Sequence, residues 1–214
     1  MAVSGLILAG FVIAHLLGNL LIYLGPDAIN AYAKKLREMG LGLWAARTGL
    51  LAAILVHIWT SVQLTSENRR ARPQRYARHQ LVETTVAART MMISGIVLVV
   101  YLIYHLLHFT FRVTNPEISH GIDRLGRHDV YTMMVLSFQN IYVCAAYVVG
   151  VATVCFHLSH GIASAVQTLG FNDERMIARW ARAGRLLAFA VFVGYVSIPV
   201  SVFLGFIPLA GRFK

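Results

Sequence analysis

The sequence predicts an all-α integral membrane protein, a bundle of five transmembrane helices forming one domain over residues 1–214. Three observations predict it. Of the 214 residues, 57% are hydrophobic and only 13% are charged. Five stretches reach the roughly 20 apolar residues that a helix needs to cross a bilayer. Most of the charge falls between those stretches, in short loops.

The first span runs over about 3–24 and ends at Gly25-Pro26-Asp27, which breaks one helix and starts the next. No basic region precedes it and no small-residue cleavage motif follows, so it reads as a span rather than a removable signal peptide. Asp27 to Glu38 has Ile29, Tyr32, Ala33 and Leu36 at helical spacing, with Lys34, Lys35 and Arg37 off that face. This predicts a short amphipathic helix lying on the membrane surface. The second span covers about 41–64. The densest basic run of the chain, Glu67 to Arg78, follows it. The third span covers about 87–111 and leads into a polar loop, Arg112 to Asp129. The fourth is long, about 130–167, and projects beyond the hydrocarbon. A loop with Arg175, Arg179 and Arg182 leads to the fifth, about 185–206, interrupted by Pro199.

Cys144 and Cys155 lie on one predicted helix, about 16 Å apart along its axis, too far for a disulfide. The formal charge of +10 is spread through loops between apolar spans. Anionic lipid headgroups and an acidic partner surface are its counter-charges, and nucleic acid is not expected. Ten Lys and Arg fall on the side of the 65–89 and 167–185 loops and nine on the other, with six in one loop. That concentration predicts a cytoplasmic loop, with the N-terminus inside and the C-terminus outside.

Four of the five spans carry a histidine: His15, His57, His105 and His157. An ionisable group in hydrocarbon is costly, and by default it marks function. Hydrogen bonding to a neighbouring helix accounts easily for one such histidine and poorly for four. With span directions alternating, His57 and His157 share the inner half of the membrane and His15 and His105 the outer half. Two imidazoles from facing helices are what a six-coordinate haem iron requires, and two stacked haems would make a wire across the membrane.

The surroundings are consistent with this. Ala14 and Gly18 near His15, Ala53 near His57, and Gly150, Thr153 and Gly161 around His157 leave room for a flat macrocycle. Thr153, one turn before His157, is a candidate partner for its second ring nitrogen. Arg47, near the level of the outer pair, and Arg89, at the inner end of span three, are candidate propionate partners. His108 and His160 read as surface or propionate-contacting groups, and His79, His120 and His128 as solvated loop residues. Trp44, Trp59 and Trp180 read as interfacial anchors.

Two other classes compete. The H-x-x-H pairs His105/His108 and His157/His160 resemble boxes of a membrane di-iron oxygenase, but the predicted topology sends them to opposite faces. A transporter or structural anchor leaves the four histidines without a reason. No C-x-x-C-H is present, so covalent c-type attachment is out.

The ordered set His15-Leu-Leu-Gly-Asn-Leu, Val56-His57, Tyr104-His105 and Phe156-His-Leu-Ser-His-Gly161, followed by Gln167-Thr-Leu-Gly170, runs over nearly the whole chain. It resembles the di-haem cytochrome b membrane-anchor subunit of succinate:quinone oxidoreductase and quinol:fumarate reductase. The resemblance implies two haem b groups, the distal one on His15 and His105 and the proximal one on His57 and His157. It also implies an iron–sulfur subunit docked on the cytoplasmic face, with the basic loop Arg69 to Arg78 as the docking surface, and a flavoprotein subunit holding succinate or fumarate. Electrons would pass to or from a quinone, expected to be menaquinone, in a bacterial cytoplasmic membrane. One departure matters. Some members carry a glutamate, associated with proton movement, two residues before the proximal ligand, where this chain has Cys155. That proton route does not carry over. The alternative within the same chemistry is a di-haem subunit of another quinone-linked dehydrogenase, of hydrogenase or formate dehydrogenase type.

Overall fold

The computed structural model describes residues 1–71, 90–171 and 173–209. Helix α1 (Ala2–Asn19) runs on as a 3-10 turn, Leu20–Leu24. Gly25, at φ 96°, makes a bend that an L side chain would resist, and Pro26 opens α2 (Pro26–Glu38) at its first position. Then come α3 (Leu41–Arg70) and α4 (Met91–His105), the latter extended by a π turn, Leu106–Thr110. The short α5 (Pro116–Ser119), α6 (Val130–Phe138), α7 (Ile141–Thr168) and α8 (Glu174–Phe203) complete the helices of the described residues.

Among the described residues, five helical segments are long and apolar enough to cross a membrane: Ala2–Leu24, Leu41–Arg70, Met91–Thr110, Ile141–Thr168 and Arg175–Phe203. The all-α five-helix bundle expected from the sequence is the observed fold.

Three boundaries differ from the sequence reading. The long fourth span is two helices, because Asn140 accepts hydrogen bonds from the backbone N–H groups of Tyr142 and Val143 and so caps a new start. The fifth helix begins at Glu174, far before 185. Asp173 caps it by accepting from Met176 N–H, and the arginines read as a loop lie on its first turns. Pro199 does not interrupt it, and the helix continues to Phe203. The start predicted for the third span, with Arg89 and His79, lies outside the described residues.

Helix α7 is the centre of the bundle. It packs along α8 and also against α4 and α1, while α1 carries α3 on its other side. Leu16 of α1, Val151 and Cys155 of α7, and Ala188 and Val191 of α8 form a mid-bundle core. The end that carries the 112–129 loop, labelled outer after the orientation expected from sequence, with the opposite end labelled inner, holds a second core, in which Ile22, Ile29, Val135, Phe138, Tyr147 and Val202 meet. Here α2 differs from expectation. Its Ile29 and Asn30 face is buried and packs toward α6, so protein rather than lipid covers that face.

The polar loop is clasped to α2. Asp123 accepts from the backbone of Leu125 and Arg127, from Arg127 Nε at 2.6 Å and from Asn30 Nδ2 at 3.2 Å. Arg127 and Arg124 both reach Asp27, at 2.8 and 2.9 Å. Desolvation opposes ionisation of Asp123, but the donors from Arg127, Leu125 and Asn30 outweigh it and hold its pKa down at about 2. His128, read from sequence as solvated, is half-buried. It hydrogen-bonds Gly121 O at 3.1 Å and contacts the Arg112 guanidinium. Burial, together with the positive charges of Arg37 and Arg112, pushes its pKa down against the opposing pull of the Gly121 carbonyl.

Candidate functional site

The four span histidines do come together in two pairs. His15 and His105 have ring centroids 5.9 Å apart, and His57 and His157 have theirs 6.4 Å apart. The pairing is diagonal. His15 on α1 faces His105 on α4, and His57 on α3 faces His157 on α7, although neither helix pair is among those that pack closely. Closely packed neighbours are instead α1 with α3, α1 with α7, and α4 with α7. The histidines therefore meet across the space between four helices that is closed on three sides, with α3 and α4 not closely packed.

The inner pair is held by two serines that the sequence reading missed. His57 Nδ1 lies 3.3 Å from Ser4 Oγ on α1, and His157 Nδ1 lies 3.0 Å from Ser94 Oγ on α4. Each serine hydroxyl already donates along its own helix, Ser4 to Met1 O at 2.8 Å and Ser94 to Met91 O at 3.0 Å. Each serine oxygen therefore accepts, and the facing Nδ1 must carry the proton. That assignment, inferred from the donor pattern, leaves Nε2 with its lone pair, the tautomer a metal ligand needs. Thr153 does not take this part. Its hydroxyl donates to Val149 O at 3.0 Å, the back-bond that threonine makes within a helix.

The outer pair sits among aromatic rings instead. Phe11 stacks on His15 at 5.3 Å, with Tyr195 at 6.3 Å, and Tyr101, Phe109 and Tyr147 surround His105. His105 Nδ1 is buried without a hydrogen-bond partner. A buried polar atom left unpaired costs about 1–3 kcal/mol, so such atoms are rare and call for an explanation.

The spacing of both pairs fits a metal held between two imidazoles. With each ring nitrogen about 2 Å from a shared ion, the two ring centres stand roughly 6 Å apart, which is the separation found in both pairs. The small residues are placed differently from the sequence reading. Gly18 is a seat for the Tyr32 ring and Gly150 for the Tyr101 ring, while nothing stands within 4 Å of a Cβ built at Gly161. The glycines nearest the inner rings come from neighbouring helices, Gly5 beside His57 and Gly95 beside His157. A cleft of about 520 Å³ separates the inner ends of α3 and α4, bounded by Thr65, Ser66, Arg69, Arg70, Met92 and Ile96. Arg47 is exposed on α3, with its guanidinium over the Trp44 ring at 5.3 Å.

His108 is a buried hub rather than a surface group. Its Nδ1 lies 3.0 Å from Tyr147 Oη and its Nε2 3.1 Å from Ser137 Oγ, and it has no exposed surface. Ser137 donates to Met133 O, so its oxygen accepts from His108 Nε2–H, and Tyr147 donates to Nδ1. With both nitrogens engaged, His108 is not available as a ligand. No group of three or more His, Cys, Asp or Glu suited to one metal occurs among the described residues. The di-iron reading of the H-x-x-H boxes therefore finds no cluster there.

Comparison with protein-family models, with curated proteins and with solved structures found no match to this chain.

Proposed function

We propose that this chain is the membrane-anchor cytochrome b subunit of a succinate dehydrogenase or fumarate reductase. It passes electrons between an iron–sulfur subunit and the quinone pool, with menaquinone as the quinone. The observation that carries the reading is the pair of diagonal histidine couples at two depths in a five-helix bundle. His15 and His105 would hold the outer haem b, and His57 and His157 the inner one. Bound there, the two groups supply one-electron carriers at two levels of the membrane.

The rest is the work of the chain's own residues. Ser4 and Ser94 hold the inner imidazoles in the ligating tautomer. Phe11, Tyr101, Phe109 and Tyr147 exclude water from the outer pair. Arg69 and Arg70, at the inner end of α3, belong to the basic surface on which the iron–sulfur subunit docks, with the flavoprotein subunit beyond it. In this reading the protein lies in the cytoplasmic membrane of a bacterium with its N-terminus inside. Arg47 would serve as a propionate partner from α3; Arg89, the other one expected from sequence, lies outside the described residues.

The test is a reduced-minus-oxidised spectrum with pyridine-haemochrome quantification on protein purified from membranes, repeated on His15→Ala and His157→Ala variants. Two b haems per chain are expected, each variant losing a different one. Absence of haem from the unsubstituted protein would overturn the reading. Identification of co-purifying subunits separates it from the hydrogenase- or formate dehydrogenase-type alternative.

A further inference from the structure

The two histidine pairs differ in one chemical respect. Both inner imidazoles point Nδ1 at a serine oxygen on a different helix, whereas His105 Nδ1 is buried without a partner. No hydrogen bond to the His15 ring is found among the described residues either. Its backbone carbonyl, not its ring, receives the Asn19 side chain at 2.7 Å. The serines are not incidental to their helices. Ser94 is buried at 6% exposure and Ser4 at 7%, in spans otherwise rich in Leu, Ile and Val. Gly5, next to Ser4, brings α1 so close to the His57 ring that a Cβ there would stand 3.2 Å from Cε1.

We infer that Ser4 and Ser94 are positioning residues that fix the inner pair's ring orientation and lower the reduction potential of the inner centre relative to the same centre without them. The inference rests on the di-haem reading. An Nδ1–H that donates to a fixed acceptor makes the imidazole a stronger electron donor through Nε2, and stronger donation stabilises the oxidised metal. Each serine oxygen is fixed because its own proton is committed to a carbonyl of its helix. Serine serves here because its small side chain lets it fill this role in a tightly packed interior. Threonine keeps the hydroxyl, and alanine removes it with little change in volume. No equivalent acceptor serves the outer pair among the described residues, so the effect belongs to one centre.

The test is a redox titration, followed by visible spectroscopy, of the protein purified from membranes as wild type, Ser94→Ala, Ser4→Ala and Ser94→Thr. Loss of either hydroxyl is expected to shift the oxidised-to-reduced ratio of one haem up to tenfold toward the reduced form. A tenfold shift is about 59 mV for a one-electron couple. The second haem should stay where it was, and Ser94→Thr should titrate close to wild type. Repeating Ser94→Ala in a His15→Ala background, where only the inner haem remains, should reproduce the shift. Two haems that titrate unchanged in both alanine variants, or that move together, would overturn the role given to the serines while leaving the di-haem reading standing. A wild-type protein without haem would overturn both.

Discussion

At His108, two ring nitrogens meet two hydroxyls on different helices, which ties α4 to α6 and α7. Replacing it by Leu removes the partner of the Tyr147 hydroxyl inside a buried cluster, a loss worth about 1–3 kcal/mol. His108→Leu should therefore lower the thermal midpoint in detergent and, on the di-haem reading, leave both haems in place; a ligand would instead take one haem with it. Gly150 gives a steric counterpart. A methyl group there would overlap the Tyr101 ring, so Gly150→Ala should cost about 1–3 kcal/mol by overpacking. Gly161→Ala meets nothing within 4 Å and should be close to neutral in the same melt. The histidines themselves were legible from sequence, because an imidazole in an apolar run stands out. Ser4 and Ser94 were not, because the contact that matters joins residues 53 and 63 positions apart. Helical spacing reports only neighbours one turn away, and there it pointed to Thr153, whose hydroxyl is spent on its own backbone.

Among the elements, those set by unbroken apolar runs were readable, and those set by capping were not. Gln139 and Asn140 are two polar residues in a long apolar stretch, too few to break a hydropathy pattern, yet Asn140 starts a new helix. Asn140→Ala should cost about 1 kcal/mol and loosen the α6–α7 junction, seen as faster amide exchange at Tyr142 and Val143. The arginine-bearing start of α8 was hidden because charge lowers hydropathy without ending a helix. The outer loop gives a pH dependence with a definite sign. The Asp123 pKa falls from its ordinary 3.8 to about 2 on folding, so the clasp's contribution is full above the unfolded value. It is lost as pH drops through the interval between those two values. Proteolysis of the 112–129 loop should accelerate over that range with an acid-active protease, and Asp123→Asn should weaken the dependence, the remainder belonging to Asp27, whose carboxyl Arg127 and Arg124 also hold below its ordinary value.

At the scale of the whole molecule, the two ends are built differently. The outer end is closed by α2, α6 and the clasped loop, while at the inner end a cleft parts α3 from α4. Orientation is open to direct measurement. A cysteine replacing Arg124 should react with an impermeant maleimide on intact cells, and one replacing Arg69 only after permeabilisation. The native Cys144 and Cys155 are buried and should stay silent. Helix α3 is the outlier of the bundle: none of its residues is buried, and among the described residues α1 is the neighbour it packs closely on. Helices in a bilayer gain nothing from hiding apolar surface from lipid, so packing and polar contacts must hold them together. Beyond its contact with α1, α3 has few of either among the described residues. On the di-haem reading, a haem between His57 and His157 would tie α3 to α7, so that cofactor supply would set how firmly α3 is joined to helices other than α1.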